Sequence, residues 1–279
     1  MPDTSQMLKT KDALDYTGMT KNFLMDSGEV QPVRRGRGIF FNRSDLDAWK
    51  ALRDRRSVFL DLDDYAKCFD FALAMYYRGY TTVDWGSSRR REAGQDITNW
   101  IRGQLGEIAT QKFLRTEIGL AVELDFDLHE EIVAQDIIGV VVSEQRRDPM
   151  LKVAIKATKF RNCYLILGEK EVESPERGSD IYILTRIDMP DDHLLRVTKA
   201  SLSEILRNQK YFDSYKEKIG EFEPIRCEVV GFCPVEELEK VNDRRTLTKI
   251  LGTSNPKGAR YMKVSGKLRR DWTFFRDRL

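Results

Sequence analysis

The chain has 279 residues, 41% of them hydrophobic, which is enough to bury a sizeable core in two domains or in one large one. Lys and Arg number 47 against 45 Asp and Glu, so the mean charge does not announce a polyanionic partner and charge must be read by position. Four scattered cysteines and two histidines lack zinc-site spacing, and there is no signal-like apolar start and no run of about eighteen apolar residues; these features argue against a zinc centre or a membrane span and predict a cytoplasmic protein.

Residues 1–56 are expected to form a small unit of three short helices and a hairpin. Thr10 and Thr20 are placed to cap the first two helices, with Gly18 and Gly28 ending them. VQPVRRGRGIFF then supplies two extended pieces around a basic, glycine-bearing turn, and Ser44 with Asp47 predicts a capping box for the helix DLDAWKALRD. Phe23, Leu24, Phe40, Phe41, Leu46 and Trp49 are its core candidates. With TKDALDYTGM at the start and RSDLDAWK at the close, residues 7–52 resemble the winged helix-turn-helix of excisionase-like and MerR-like DNA-binding proteins. The resemblance implies that Lys21 and Asn22, at the start of the second helix, face the major groove. It places Arg34, Arg35 and Arg37 on a wing near phosphates or the minor groove.

Residues 57–96 read as a helical connector followed by a basic linker. Phe59, Tyr65, Phe69, Phe71, Leu73 and Tyr77 are dense enough to require burial, while GSSRRREAGQD is polar and reads as an exposed loop.

From Ile97 the pattern becomes a helix and then a series of strands, giving a larger domain over 97–279. Ile97, Ile101, Leu105, Ile108 and Ala109 recur at helical spacing, and Glu107 stands at the edge of that stripe. AVELDFD is a first strand, and AQDIIGVVVSE is a buried strand opening with Asp136. In LKVAIKATK alternation sends Lys156 to the face opposite Ile155. Carboxylates that hold a hard divalent cation, with a lysine to stabilise charge or orient water, are the groups phosphodiester hydrolysis needs.

In that order these residues resemble the PD-(D/E)xK nuclease superfamily, especially its restriction-endonuclease-like branch. There a helix of the form GxxGExxAxxxL precedes an Asp, and a strand ending in acid-x-Lys follows. The match carries Glu107 in GQLGEIATQKFL, Asp136 in QDIIG and Lys156 in AIK as catalytic residues, with SDIYILTRI and CEVVGFCPVEEL as later sheet strands, the last leading into a helix. It implies an α/β fold, a restriction-endonuclease-like mixed central sheet flanked by helices. It also implies Mg2+, with Mn2+ as a substitute, held by Asp136, Glu107 and the backbone carbonyl of Ile155. Ala154 departs from the pattern, because the family has an acid two residues before the lysine. Glu123, Asp125 and Glu144 are the nearby acids that could take its place, and a degenerate nuclease that binds DNA without cutting is the alternative. Thr158 is placed to help position a phosphate, and Lys159 is a weaker candidate.

The closing segment from Ser254 carries eight basic residues against two acidic ones. Trp272, Phe274 and Phe275 are expected to anchor a helix, leaving Lys263, Lys267, Arg269 and Arg270 to phosphate. Together the units point to a magnesium-dependent, sequence-specific endonuclease for double-stranded DNA. By family resemblance it would be of the type II restriction kind, leaving 5′-phosphate and 3′-hydroxyl ends. Dependence on DNA methylation stays open, and cutting both strands favours a homodimer. A regulator of a defence or mobile-element system and a structure-specific repair nuclease are the competing readings.

Overall fold

The computed structural model describes residues 6–78, 92–128, 135–142, 145–252, 256, 258–276 and 278–279. Glu144, the arginines of SSRRRE and most of the polar run before the core lie outside the described residues.

The N-terminal unit comprises β1 (Met7–Lys9), α1 (Thr10–Thr17), α2 (Lys21–Asp26), β2 (Val33–Arg35), β3 (Gly38–Asn42) and α3 (Arg43–Arg55), with a three-stranded antiparallel sheet in the order β1-β3-β2. Thr20 caps α2 by accepting from the Phe23 amide, as its position predicts. Thr10 is instead the first helical residue of α1, and its hydroxyl donates to the Ile39 carbonyl. The cap of α3 is Asn42, which accepts from the Ser44 amide, so the helix starts before the expected Ser44 box. Gly36, at φ 57°, and Arg37 form the tip of the β2–β3 hairpin, a backbone that glycine adopts without strain.

Ser57–Leu60, expected within a helical connector, is a strand (β4) of the central sheet, and α4 (Leu62–Tyr77) follows under an Asp61–Asp64 capping box. The long helix α5 (Ala93–Ile118) starts ahead of Ile97. After it come β5 (Ala121–Leu124), β6 (Ile137–Val142), β7 (Gln145–Arg147), β8 (Val153–Lys159), β9 (Tyr164–Gly168), α6 (Glu169–Glu173) and β10 (Ile181–Ile187). The chain continues through α7 (His193–Ile205), α8 (Lys210–Tyr215), β11 (Ile225–Pro234), β12 (Glu239–Val241), α9 (Arg244–Leu251) and β13 (Arg260–Val264). The segment after β11 makes a single 3-10 turn at Val235–Glu237 instead of the expected helix, and the C-terminal aromatics sit on another at Trp272–Phe275.

The architecture is mixed α/β. The central sheet runs β4-β11-β10-β8, parallel between β8 and β10 and antiparallel elsewhere. Strand alternation divides its side chains between two cores. Val153, Ile155, Ile181 and Ile183 pack with Phe113 and Leu114 of α5, whereas Ala154, Tyr182 and Leu184 pack with Leu165 and Leu167 of the second sheet, β12-β13-β9. The parity that sets Lys156 opposite Ile155 is therefore realised in the packing. Trp272 and Phe275 close the first core against Phe113 and Phe232.

The N-terminal unit is seated on the central sheet through buried charge. Arg186 and Glu228 are register partners on β10 and β11, both without solvent exposure. Glu228 accepts from Arg53 Nε at 2.7 Å, Arg56 Nη2 at 2.8 Å and Arg186 Nη1 at 3.2 Å. Arg186 also reaches Glu29 at 2.6 Å, and Glu29 takes the Trp49 indole N–H at 2.9 Å. A carboxylate shared by three guanidiniums satisfies the hydrogen-bonding requirement that makes buried charge tolerable. Phe160, Cys163 and Tyr164 of the β8–β9 connection complete the hydrophobic core around Phe23 and Trp49, so the two parts share one core.

Candidate active site

Glu107, Asp136 and Lys156 come from a helix, the approach to one strand and the middle of another, and they meet at the open edge of β8. Asp136 is fixed twice. Its amide donates to the Val153 carbonyl at 2.9 Å, and its carboxylate accepts from the Ile155 amide at 2.5 Å. A strand residue sends its N–H and C=O to the same side, so the Ile155 carbonyl leaves β8 on this edge as well.

Glu107 is delivered by a close helix-to-sheet approach. Its neighbour Gly106 faces the sheet, where a Cβ would lie 2.5 Å from Thr185 Oγ1 and 2.8 Å from the Ala157 Cβ. Only glycine lets α5 come this near, and the next residue is thereby held over the edge of the strand. The Glu107 side chain is buried and accepts from Gln104 Nε2 at 3.0 Å.

Burial, and then the Asp136 charge, push the Glu107 carboxyl well above its ordinary range, with Lys156 opposing. Asp136 is likewise raised by burial against the pull of Lys156 and the Ile155 amide. Burial alone would depress the Lys156 ammonium, but Glu171 and Asp136 outweigh it and raise it. Two carboxylates thus share a desolvated space in which a further positive charge would favour both of them.

Among the acids considered for the place of Ala154, Glu123 pairs with Arg146 at 2.6 Å toward solvent. Asp125 is near enough to raise both Glu107 and Asp136, and its amide donates to the Asp136 carbonyl at 3.1 Å. Sequence reasoning missed Glu171, on α6, which sits 2.6 Å from Lys156 Nζ. Its other carboxylate oxygen accepts from the Gly168 amide at 3.3 Å, and its backbone carbonyl accepts from the Tyr182 hydroxyl at 3.0 Å. Ala154 has its small side chain buried in the second core.

Among the described residues, no group of three or more His, Cys, Asp or Glu side chains is placed to hold a metal ion. The donors at the β8 edge are two carboxylates and a backbone carbonyl, all hard oxygens. That set fits Mg2+, which is typically held by one or two carboxylates and keeps several waters, and does not suit zinc.

The remaining candidates divide. Lys21, Asn22, Arg34, Arg35 and Arg37 are all exposed. Thr158 is occupied by Asn162 Nδ2 at 2.7 Å, and Lys159 is exposed. The four C-terminal cations, expected to be available to phosphate, each have a partner within the chain. Lys263 donates to the Glu237 carbonyl, Lys267 lies 3.5 Å from Glu239, Arg269 pairs with Glu237, and Arg270 donates to the Val230 and Ser265 carbonyls. Lys263 belongs to a strand, which the sequence reading did not place there. Set against known families, curated proteins and solved structures, the chain matches none of them.

Proposed function

We propose that this chain is a magnesium-dependent endonuclease for double-stranded DNA, of the PD-(D/E)xK restriction-endonuclease-like kind, with a winged helix-turn-helix at its N-terminus. The observation that carries the reading is the convergence of Glu107, Asp136 and Lys156 from three separate elements into one cluster, in which burial raises both carboxyls and the half-buried Lys156 opposes that rise. Buried like charges cost stability, and clusters of them with opposed shifts are concentrated at functional sites. Magnesium at this edge would supply Lewis-acid polarisation of the scissile phosphate. Asp136 and Glu107 would hold the cation, and the Ile155 carbonyl would add a neutral donor. Lys156, kept protonated by Glu171, would stabilise the charge that develops on the phosphoryl oxygens. The exposed arginines of the β2–β3 hairpin and the start of α2 would grip the duplex. Double-strand cleavage by one site per chain makes a symmetric homodimer the expected working form.

A second reading has its own support. With Ala154 in place of an acid and Lys156 engaged by Glu171, the chain would bind DNA without cutting it. The deciding experiment is cleavage of unmodified and cytosine-methylated duplex DNA, in Mg2+ or EDTA, by the native protein and K156A. Discrete magnesium-dependent fragments that disappear in K156A support the nuclease. Tight binding with no cleavage in Mg2+ or Mn2+, on either substrate, transfers the assignment to the non-cutting DNA-binding protein.

A further inference from the structure

A cavity of about 470 Å3 opens between the N-terminal unit, α5 and the C-terminal segment, and Glu107, Asp136 and Lys156 take no part in its lining. Trp49 and Trp272 form part of its wall, Arg55, Arg56 and Arg270 supply cations, and Glu117 lies on its lining. The volume falls within the range of small-molecule sites and is ample for a nucleotide.

Charge accounting gives the cavity its sign. Arg55, Arg56 and Arg270 on its lining stand against Glu29 and Glu117, and Glu29 is already paired with Arg186, so the lining carries a net positive charge. Burial and mutual repulsion depress the Arg56 guanidinium, and burial depresses that of Arg270. Arg56 Nε is buried and has no hydrogen-bond partner, although the other two nitrogens of that guanidinium are engaged by Val230 and Glu228. Arg55, one residue earlier on α3, is exposed and has no partner among the described residues. Excess positive charge, an unused buried donor and a free guanidinium beside apolar walls fit a phosphate group attached to an organic body.

We propose that this cavity is a phosphate site for a nucleotide, filled either by a free nucleoside 5′-phosphate or by a phosphodiester of a bound strand. The proposal requires no cleavage and uses none of Glu107, Asp136 and Lys156, although Arg270 is also one of the C-terminal cations expected to meet phosphate. It is tested in EDTA by calorimetric titration with deoxyadenosine 5′-monophosphate and by binding of a short labelled duplex, using the native chain, Arg55→Gln, Arg270→Gln and Glu117→Gln. Arg55 and Glu117 are exposed, so their variants should retain the fold. Loss of one charged hydrogen bond to phosphate should weaken binding about tenfold in Arg55→Gln and Arg270→Gln. Glu117→Gln should tighten it, because a repelling carboxylate is removed. Binding of the mononucleotide with this pattern identifies a free nucleotide; the same pattern with the duplex alone identifies a strand phosphodiester. If all three variants bind both probes like the native chain, or if Glu117→Gln weakens binding, the proposal is overturned.

Discussion

Lys156 Nζ lies 2.6 Å from Glu171 Oε1, joining the central sheet to the short helix α6 across 15 positions of sequence. The Lys156 side chain is about a third exposed and that of Glu171 is mostly covered, so the pair sits at the mouth of the site and not in its depth. If Lys156 acts on the developing charge, removing it should cost about 10²–10³ in kcat, the scale of a lost charge-stabilising donor. Glu171→Gln should reduce cleavage less than K156A does, and it should shift the alkaline limb of the pH–rate profile downward because the lysine loses the partner that raises it. An unchanged alkaline limb would remove Glu171 from this role.

Glu107→Gln separates stability from chemistry. The amide removes a buried charge that repels Asp136, while Gln104 can still donate to its oxygen. In EDTA the variant should be more stable than the native chain by roughly 0.5–2 kcal/mol, as often follows when a functional strain is removed. Adding Mg2+ should raise the melting temperature of the native protein and leave that of Glu107→Gln nearly unmoved. Equal stabilisation of both would place any bound cation elsewhere.

The close approach at Gly106 makes a distinct prediction. Gly106→Ala would put a methyl against Thr185 and Ala157, and α5 would have to lift from the sheet. Overpacking of this kind costs roughly 1–3 kcal/mol, read as a lower urea midpoint. Because the displaced helix carries Glu107, cleavage should fall further than the loss of stability accounts for.

Much of the site could be read locally. Gly106 and Glu107 stand together in one helical motif, Asp136 opens an aliphatic run, and alternation in VAIKATK fixes the parity of Lys156. Glu171 carried no such signal, because EKEVE looks like any charged surface helix until the fold brings α6 beside β8. The pairing of β4 with β11 was equally hidden, since Ser57–Leu60 finds Ile225–Glu228 only through long-range packing. IYILTRI and CEVVGF carry a usable signal, a charge that interrupts an otherwise apolar strand. Arg186 and Glu228 are those charges, and a buried strand tolerates them because they partner each other and are shared with Glu29, Arg53 and Arg56. The C-terminal cations misled for the reverse reason: a basic run in sequence says nothing of the Glu237, Glu239 and backbone carbonyls that the fold sets beside it.

The exposed hairpin offers a test that needs no catalysis. Arg34, Arg35 and Arg37 flank the turn at Gly36. If all three contact phosphates, replacing them with alanine should lower duplex affinity uniformly across sequences and reduce the slope of log K against log salt by about 3. A change in sequence preference at constant slope would instead mean base contacts.

Glu29 makes the seating of the N-terminal unit sensitive to acid. Burial would raise its carboxyl, but Arg186, with help from the Trp49 indole, overturns that and lowers it from 4.5 to about 2. A depressed carboxyl contributes stability that is fully present above the ordinary value and is lost as pH falls toward the folded one. The window therefore runs from about 4.5 down to about 2, and the contribution at neutral pH is on the order of 3 kcal/mol. Urea midpoints measured from neutral pH downward should drop through that window in the native chain. Glu29→Gln should start lower at neutral pH and show a shallower fall, since the titrating group is gone while Arg186 keeps Glu228. Parallel curves for the two proteins would show that Glu29 does not couple the unit to the sheet through its charge.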